Sequence, residues 1–462
     1  MPIVRLVAEG VGPFDWLDLD LSDGRGNPHL GPHILAGVNG SGKSTALRAL
    51  AWLFGSGSRG FPEGEWRHAR AGYLSRAAAL VKPLSGPRQV RACSTGRIKD
   101  QRQWISMVLL LPDEIPLIQK GPFYDGDVTV QSVQCGTFGQ PGEATDGRLF
   151  NFAAYAPSRS LKHVPNPDPT ASQPSSLEGC LGFESTVQNL LIHGWLASLY
   201  SKRAIARERG QSTESYTRSL GRFQKALQLM FGEQLSMDVV IEPHLSLLLS
   251  VGGRSLNFSQ LPDGLRNTIG WLADFMRRQE TTQWSPELKG RTPGFLLIDE
   301  LDAHLHPRWQ RQILPALRDA LPDVQIIVTT HSPFVISSCR GARVHVLEVD
   351  AHGRARSRPP VDAPVGQSLM ATLKDIFDVD SRFDVQTERD LGEWNDLRKR
   401  EASGGIEAGS RKRLQQLTQE LSERSEELRS IVAPAAGLSP ALVRSLVNAQ
   451  NRGRKPKRAA KR

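Results

Sequence analysis

Gly37-Val38-Asn39-Gly40-Ser41-Gly42-Lys43-Ser44 is the stretch on which the reading of this chain turns. It has the spacing G-x-x-x-x-G-K-[ST]. It follows the apolar run His33-Ile34-Leu35-Ala36 and precedes Ala46-Leu47-Arg48-Ala49-Leu50, a helix-favouring segment. Strand, glycine-rich loop and helix in that order make a phosphate-binding loop, because glycines permit the backbone geometry in which successive N–H groups converge on an anion. The expected nucleotide-binding residues are Gly37, Asn39, Gly40, Ser41, Gly42, Lys43, Ser44 and Thr45. Lys43 reaches the β- and γ-phosphates, and the Ser44 hydroxyl ligates magnesium. The implied cofactors are ATP and Mg2+.

Two further apolar runs end in chemistry-bearing residues. Phe295-Leu296-Leu297-Ile298 reads as a buried parallel strand closing on Asp299-Glu300. At that carboxyl end Asp299 is the expected second magnesium ligand and Glu300 the group that polarises the attacking water, since phosphoryl transfer depends on positioning and charge stabilisation. Gln325 to Thr330 reads as a second such strand, ending at His331-Ser332-Pro333 and bringing His331 to the same edge. Leu261-Pro262-Asp263-Gly264-Leu265-Arg266 opens an apolar helix, Ile269 to Phe275, so its start is a candidate anion-binding terminus. His304 and His306 have H-x-H spacing, but Pro307 suits a first helical turn, which favours a turn entering a helix over a metal site.

The order phosphate loop, D-G-x-R helix start, acidic strand and histidine resembles the ABC-type ATPase head. The run Asp299-Glu300-Leu301-Asp302-Ala303-His304-Leu305-His306-Pro307-Arg308-Trp309-Gln310 looks like the RecF/OLD-like branch, the bacterial ATPases related to SMC proteins. The resemblance implies an α/β fold, an ABC-type P-loop ATPase head with a short helical insertion and a C-terminal helical region. It also implies an ATP-dependent homo-oligomer, in which Asp263, Gly264 and Arg266 of one protomer close on the ATP held by another. Pro262 stands where that signature carries a serine, and it has neither hydroxyl nor N–H to offer. Tyr155-Ala156-Pro157-Ser158-Arg159 occupies the region of the family's lobe-joining glutamine, with Arg159 a candidate to face the site. Gly366-Gln367-Ser368-Leu369 and Phe377 to Arg382, before a charged helical pair, are similar to the ATPase subunit of Septu-type anti-phage systems. That subunit works with a separate HNH nuclease. Two alternatives stay open: an OLD-like nuclease using Glu348, Asp378 and Asp380, and a RecF-like DNA repair ATPase.

Composition sets the frame. With 462 residues, 39% hydrophobic and 23% charged, the chain is sized for two to three globular domains. No signal-peptide pattern and no apolar run of membrane-spanning length is present, so no membrane is expected. Cys93, Cys135, Cys180 and Cys339 are scattered and read as reduced thiols, pointing to the cytoplasm. The net charge of +10 is a weak argument for DNA, because seven of those charges sit in the tail from Asn451 to Arg462. The expected organisation is a head in two parts, 1–160 and 236–349, around a helical insertion at 161–235. A linker at 350–365, a helical region at 366–450 and a basic tail at 451–462 follow.

Overall fold

The computed structural model describes residues 2–54, 75–81, 95–97, 103–110, 151–157, 189–240, 246–251, 253–282, 288–289 and 291–435. Arg159, Cys93, Cys135, Cys180 and the tail 451–462 lie outside the described residues. The chain begins with β1 (Ile3–Val11), β2 (Phe14–Asp20), β3 (His33–Gly37) and α1 (Lys43–Phe54), then β4 (Ser75–Val81), β5 (Thr95–Arg97), β6 (Gln103–Leu110) and β7 (Asn151–Tyr155). The helical insertion supplies α2 (Asn189–Glu208) and α3 (Glu214–Phe231), followed by β8 (Leu235–Val240), β9 (Ser246–Val251) and β10 (Arg254–Asn257). Next come α4 (Asp263–Thr281), β11 (Gly294–Ile298), α5 (Pro307–Ala320), β12 (Val324–Thr329), α6 (Pro333–Ile336) and β13 (Arg343–Val349). Two short strands, β14 (Ala355–Ser357) and β15 (Val361–Asp362), and α7 (Leu369–Phe377) complete the first compact unit, Met1–Asp378.

The central sheet runs β14-β13-β3-β12-β11-β7, with β15 also on β13. Strands β13, β3, β12, β11 and β7 are mutually parallel. Four of them, β3, β7, β11 and β12, are buried at every position, as the uninterrupted apolar runs require of strands covered on both faces. Alternate residues feed two separate cores. Ile34, Ala153, Leu296, Ile298, Ile326 and Val328 join the layer built from α2 to α6. Leu35, Phe152, Phe295, Leu297 and Ile327 join α1 and the β1–β2 hairpin, where Phe152 stacks on Phe295 at 5.6 Å. A second sheet, β2-β1-β4-β6-β5, and a three-stranded antiparallel sheet, β10-β9-β8, complete the unit's strands among the described residues.

Residues 350–365, expected as linker, instead carry β14 and β15, both antiparallel to β13. Their Gly/Pro/Arg content masks a local need, because the outer edge of β13 has main-chain groups to satisfy. The second unit, Val379–Arg462, contains α8 (Val385–Ala402), α9 (Ala408–Arg424) and α10 (Glu426–Ala435). These pack around Leu391, Trp394, Leu397, Leu414, Leu417, Leu421, Leu428 and Val432, and the Trp394 indole donates to Thr418 Oγ1 at 2.8 Å. The chain breaks at Ser425, so α10 turns Val432 inward and leaves Ile431 37% exposed. Among the described residues, no helix is long and apolar enough to cross a membrane.

Candidate functional site

Strands β3, β12 and β11 lie side by side and point the same way, so their carboxyl ends form one edge. The loop 38–42 leaves β3 there and turns into α1. Gly42 has φ +86°, and a Cβ at this position would collide with the Phe14 ring, so both conformation and space call for glycine. Lys43 is buried, and its Nζ donates to the Gly37 and Val38 carbonyls at 3.0 and 2.9 Å. Burial lowers its pKa from the ordinary lysine value, and the carboxylates of Asp299, Glu300 and Asp302 oppose that shift. The ammonium therefore braces the loop from within, at the position a phosphate oxygen would contest.

Ser44 Oγ donates to Asp299 Oδ1 at 2.9 Å, joining the phosphate loop to the end of β11. Asp299 is buried and also accepts from Thr329 Oγ1 at 2.6 Å, while Thr329 Oγ1 accepts the Glu300 N–H at 2.7 Å. Glu300 has φ +48°, an uncommon backbone state for a side-chain-bearing residue and one that collects at functional sites. Ser41 Oγ is buried without a hydrogen-bond partner among the described residues. An orphaned hydroxyl inside the loop, a lysine on loop carbonyls, and a serine–aspartate pair suit a phosphate group and a hard, oxygen-seeking cation. The residues present thus fit ATP and magnesium.

His331 follows β12 on the same edge. Its pKa is lowered, first by burial and then by the Lys43 ammonium, while Asp302, Glu300 and Asp299 pull the other way. The imidazole is thereby held towards its neutral form. The structure brings together Gly37, Gly40, Ser41, Gly42, Lys43, Ser44, Asp299, Glu300 and His331, with Asn39 exposed on the loop. The Thr45 side chain packs instead on the β1–β2 turn, its Cγ2 2.6 Å from where a Gly12 Cβ would stand.

Three residues without an expected role hold this edge. The Asp302 carboxylate accepts from the Thr330 hydroxyl and, at 3.4 Å, from the His331 N–H. Gln310 on α5 donates to the carbonyls of Leu305 at 2.8 Å and Asp302 at 3.4 Å, and accepts from Ser332 Oγ at 2.6 Å. Ser332 in turn caps α6. Gln310 thus ties the turn after Glu300 to the turn carrying His331. Its only sequence signal is the W-Q ending the run from Asp299.

The D-G-x-R segment begins α4, with Pro262 as N-cap and Asp263 paired to Arg266 one turn on. Gly264 is needed inside this chain, because a Cβ there would collide with the His304 carbonyl oxygen. His304 has φ +61°, and His306 caps α5, its Nδ1 accepting from Arg308 N at 3.2 Å. The H-x-H pair is therefore a turn entering a helix. Further along α4, buried Asp274 binds Arg277 and Arg278 at 2.8 and 2.7 Å and accepts from Tyr155 Oη at 2.9 Å. The Tyr155 carbonyl takes the Asp299 N–H, also at 2.9 Å.

A phosphate loop between a parallel strand and its helix, with its serine on the carboxylate of a strand two places away, defines a P-loop ATPase head. The chain belongs to the family described as "AAA domain, putative AbiEii toxin, Type IV TA system", which matches residues 33–337. It is 32% identical over 132 residues to "Retron Vc95 probable ATPase" of Vibrio cholerae serotype O1 biovar El Tor. That match covers 28% of this chain and spans 25% of the relative's length. It is 21% identical over 390 residues to "Septu protein PtuA" of Bacillus thuringiensis, covering 82% of this chain and 84% of the relative. Among solved structures, the SMC head bound to the C-winged helix domain of ScpA overlays with a TM-score of 0.42 at 13% identity, covering 79% of this chain and 98% of that one.

Proposed function

We propose that this chain binds and hydrolyses ATP as a switch that dimerises around the nucleotide and regulates a partner nuclease in anti-phage defence. The observation carrying the proposal is the Ser44–Asp299 hydrogen bond, which joins residues 255 apart in sequence at one sheet edge. Lys43 and the loop N–H groups would bind the phosphates, and Ser44 and Asp299 would hold magnesium. Magnesium, when bound, neutralises charge developing on the phosphate oxygens. Glu300 orients and polarises water from the same edge, and neutral His331 offers a hydrogen bond to a γ-phosphate oxygen. Asp263, Gly264 and Arg266 would meet the partner protomer's nucleotide. Gly264 would do so through main chain, since its side-chain position is filled by the His304 carbonyl.

Similarity to the Bacillus thuringiensis Septu protein across 84% of its length supports the defence reading, and the partner proposed with it, from the family resemblance alone, is an HNH nuclease. The OLD-like alternative has less support. Asp378 follows the helix α7 rather than a strand, with φ +56°, and Glu348 is ion-paired with Arg358. Sedimentation of wild type and Glu300→Gln with and without Mg-ATP, alongside phosphate release, tests the proposal. Nucleotide-dependent dimers in the slow-turnover variant are the expected result. A chain that binds no ATP, or a Glu300→Gln variant with normal turnover, would sink it.

A further inference from the structure

We propose that the exposed face of the α2–α3 hairpin binds the phosphate backbone of duplex DNA. Between Tyr200 and Leu229 the chain carries seven lysines and arginines against two acids, Glu208 and Glu214. The excess lies in the folded head and is separate from the tail charges. Arg218 pairs with Glu214 one turn away, and Arg203 stacks over the Tyr200 ring at 4.9 Å. The other five, Lys202, Arg207, Arg209, Arg222 and Lys225, make no salt bridge among the described residues. All but Arg222, which is half-buried, are exposed. Elsewhere in the head, surface arginines do find acids: Arg5 with Asp18, Arg291 with Asp323, Arg354 with Asp15. Uncompensated like charge destabilises a compact element and marks a surface matched to a polyanion.

The hairpin is built to hold these cations still. Trp195 meets Phe223 edge-on at 5.8 Å at its base, and at its tip Gly210, with φ +64°, turns the chain while Gln211 N donates to the Ala206 carbonyl at 2.8 Å. Arg218, Arg222 and Lys225 stand at i, i+4 and i+7, a single row about 10 Å long on α3. Lys202 lies on α2, and Arg209 stands in the turn just past its end. Packed helices lie about 8–10 Å apart, a distance within the range of duplex groove widths, about 6 to 12 Å, so the α3 row and the cations of α2 and its turn can meet phosphates on both strands. A protein partner is the poorer match. Ile205 and Leu229 are the exposed large apolar residues of this segment, whereas protein interfaces centre on aromatic and apolar clusters depleted in lysine.

The experiment is fluorescence anisotropy with a labelled 30-base-pair duplex across a potassium chloride series, without nucleotide, so its outcome is independent of the ATPase reading. Three full-length proteins are compared: wild type, a variant with Lys202, Arg207, Arg209, Arg222 and Lys225 each changed to Gln, and one with the seven tail cations changed to Gln. Each cation withdrawn from a phosphate flattens the plot of log Kd against log salt by about 0.9 and costs about 0.9 log units at 0.1 M salt. The hairpin variant is therefore expected to bind at least about 100-fold more weakly at 0.1 M salt, with a shallower slope. If that variant melts early, Lys202→Gln/Arg209→Gln alone should still flatten the slope by about 1.8. A hairpin variant with wild-type affinity overturns the proposal, as does loss of all binding in the tail variant. Displacement of the duplex by polyglutamate at equal charge, or binding confined to RNA or single strands, overturns it too.

Discussion

Acidification from pH 7 to 5 is expected to destabilise the head through a histidine pair at the amino-terminal end of the sheet, and His345→Gln is expected to remove much of that loss. His33 opens β3 and His345 lies on neighbouring β13; both are fully buried, with His33 Nδ1 and His345 Nε2 3.1 Å apart. His345 Nδ1 has no partner among the described residues. Burial pushes the His345 pKa down to about 4, with Arg343 and His29 adding to the shift and Asp20 opposing it; His33 is driven the same way by burial and by His345. A depressed folded pKa means that the proton binds the unfolded chain first. The stability is then complete above the unfolded value of about 6.5 and drains away as pH falls towards 4. For His345 alone, the two pKa values give a loss of about 2 kcal/mol between pH 7 and 5. Urea unfolding followed by tryptophan fluorescence at both pH values measures it. Wild type should lose about 2 kcal/mol more than His345→Gln over that interval. Equal losses in the two proteins would refute the reasoning and place the proton uptake elsewhere.

Other outcomes follow from the catalytic edge. Gln310→Ala removes donors to two turn carbonyls and an acceptor for Ser332, so ATP turnover should fall about tenfold with ATP affinity little changed, at a stability cost of about 1–3 kcal/mol; unaltered turnover would dissociate Gln310 from the placement of His331. Gly264→Ala forces a methyl against the His304 carbonyl and should lower stability by about 1–3 kcal/mol in thermal melts even without nucleotide, whereas an unchanged melting temperature would mean that the α4 start gives way. Ser44→Ala should weaken ATP binding by about tenfold in magnesium and scarcely in EDTA, as titration calorimetry would report; equal weakening in both would deny Ser44 a place at the metal.

The parts of this fold legible in the sequence are those in which local pattern and tertiary role agree. Parallel strands buried on both faces must be apolar throughout, so β3, β11 and β12 are visible as runs, and the phosphate loop announces itself through its glycines. Long-range pairings leave no such trace. His33 reads as one more member of an apolar run, though its partner lies 312 residues away. Gln310 looks like an ordinary polar helix residue until α5 is set beside the turn that holds Ser332. The segment Asp274-Phe275-Met276-Arg277-Arg278 would pass for a half-exposed helix, yet all five residues are buried, with Asp274 ion-paired to both arginines and accepting from Tyr155. Gly264 reads as a residue for a neighbouring protomer's nucleotide, while its own chain already requires it.

The span between Ser44 and Asp299 also bears on how the protein comes into being. At synthesis rates of about 5–20 residues per second, roughly ten to fifty seconds separate the emergence of the two halves of this site from the ribosome. During that interval the nascent chain carries a phosphate loop without its acidic counterpart, and β3 waits for β12, the neighbour that joins it to β11. A truncated product ending anywhere before β11 would lack Asp299 and Glu300 altogether. The chain therefore cannot act on nucleotide until most of it has been made, which makes its activity a report on its own completion.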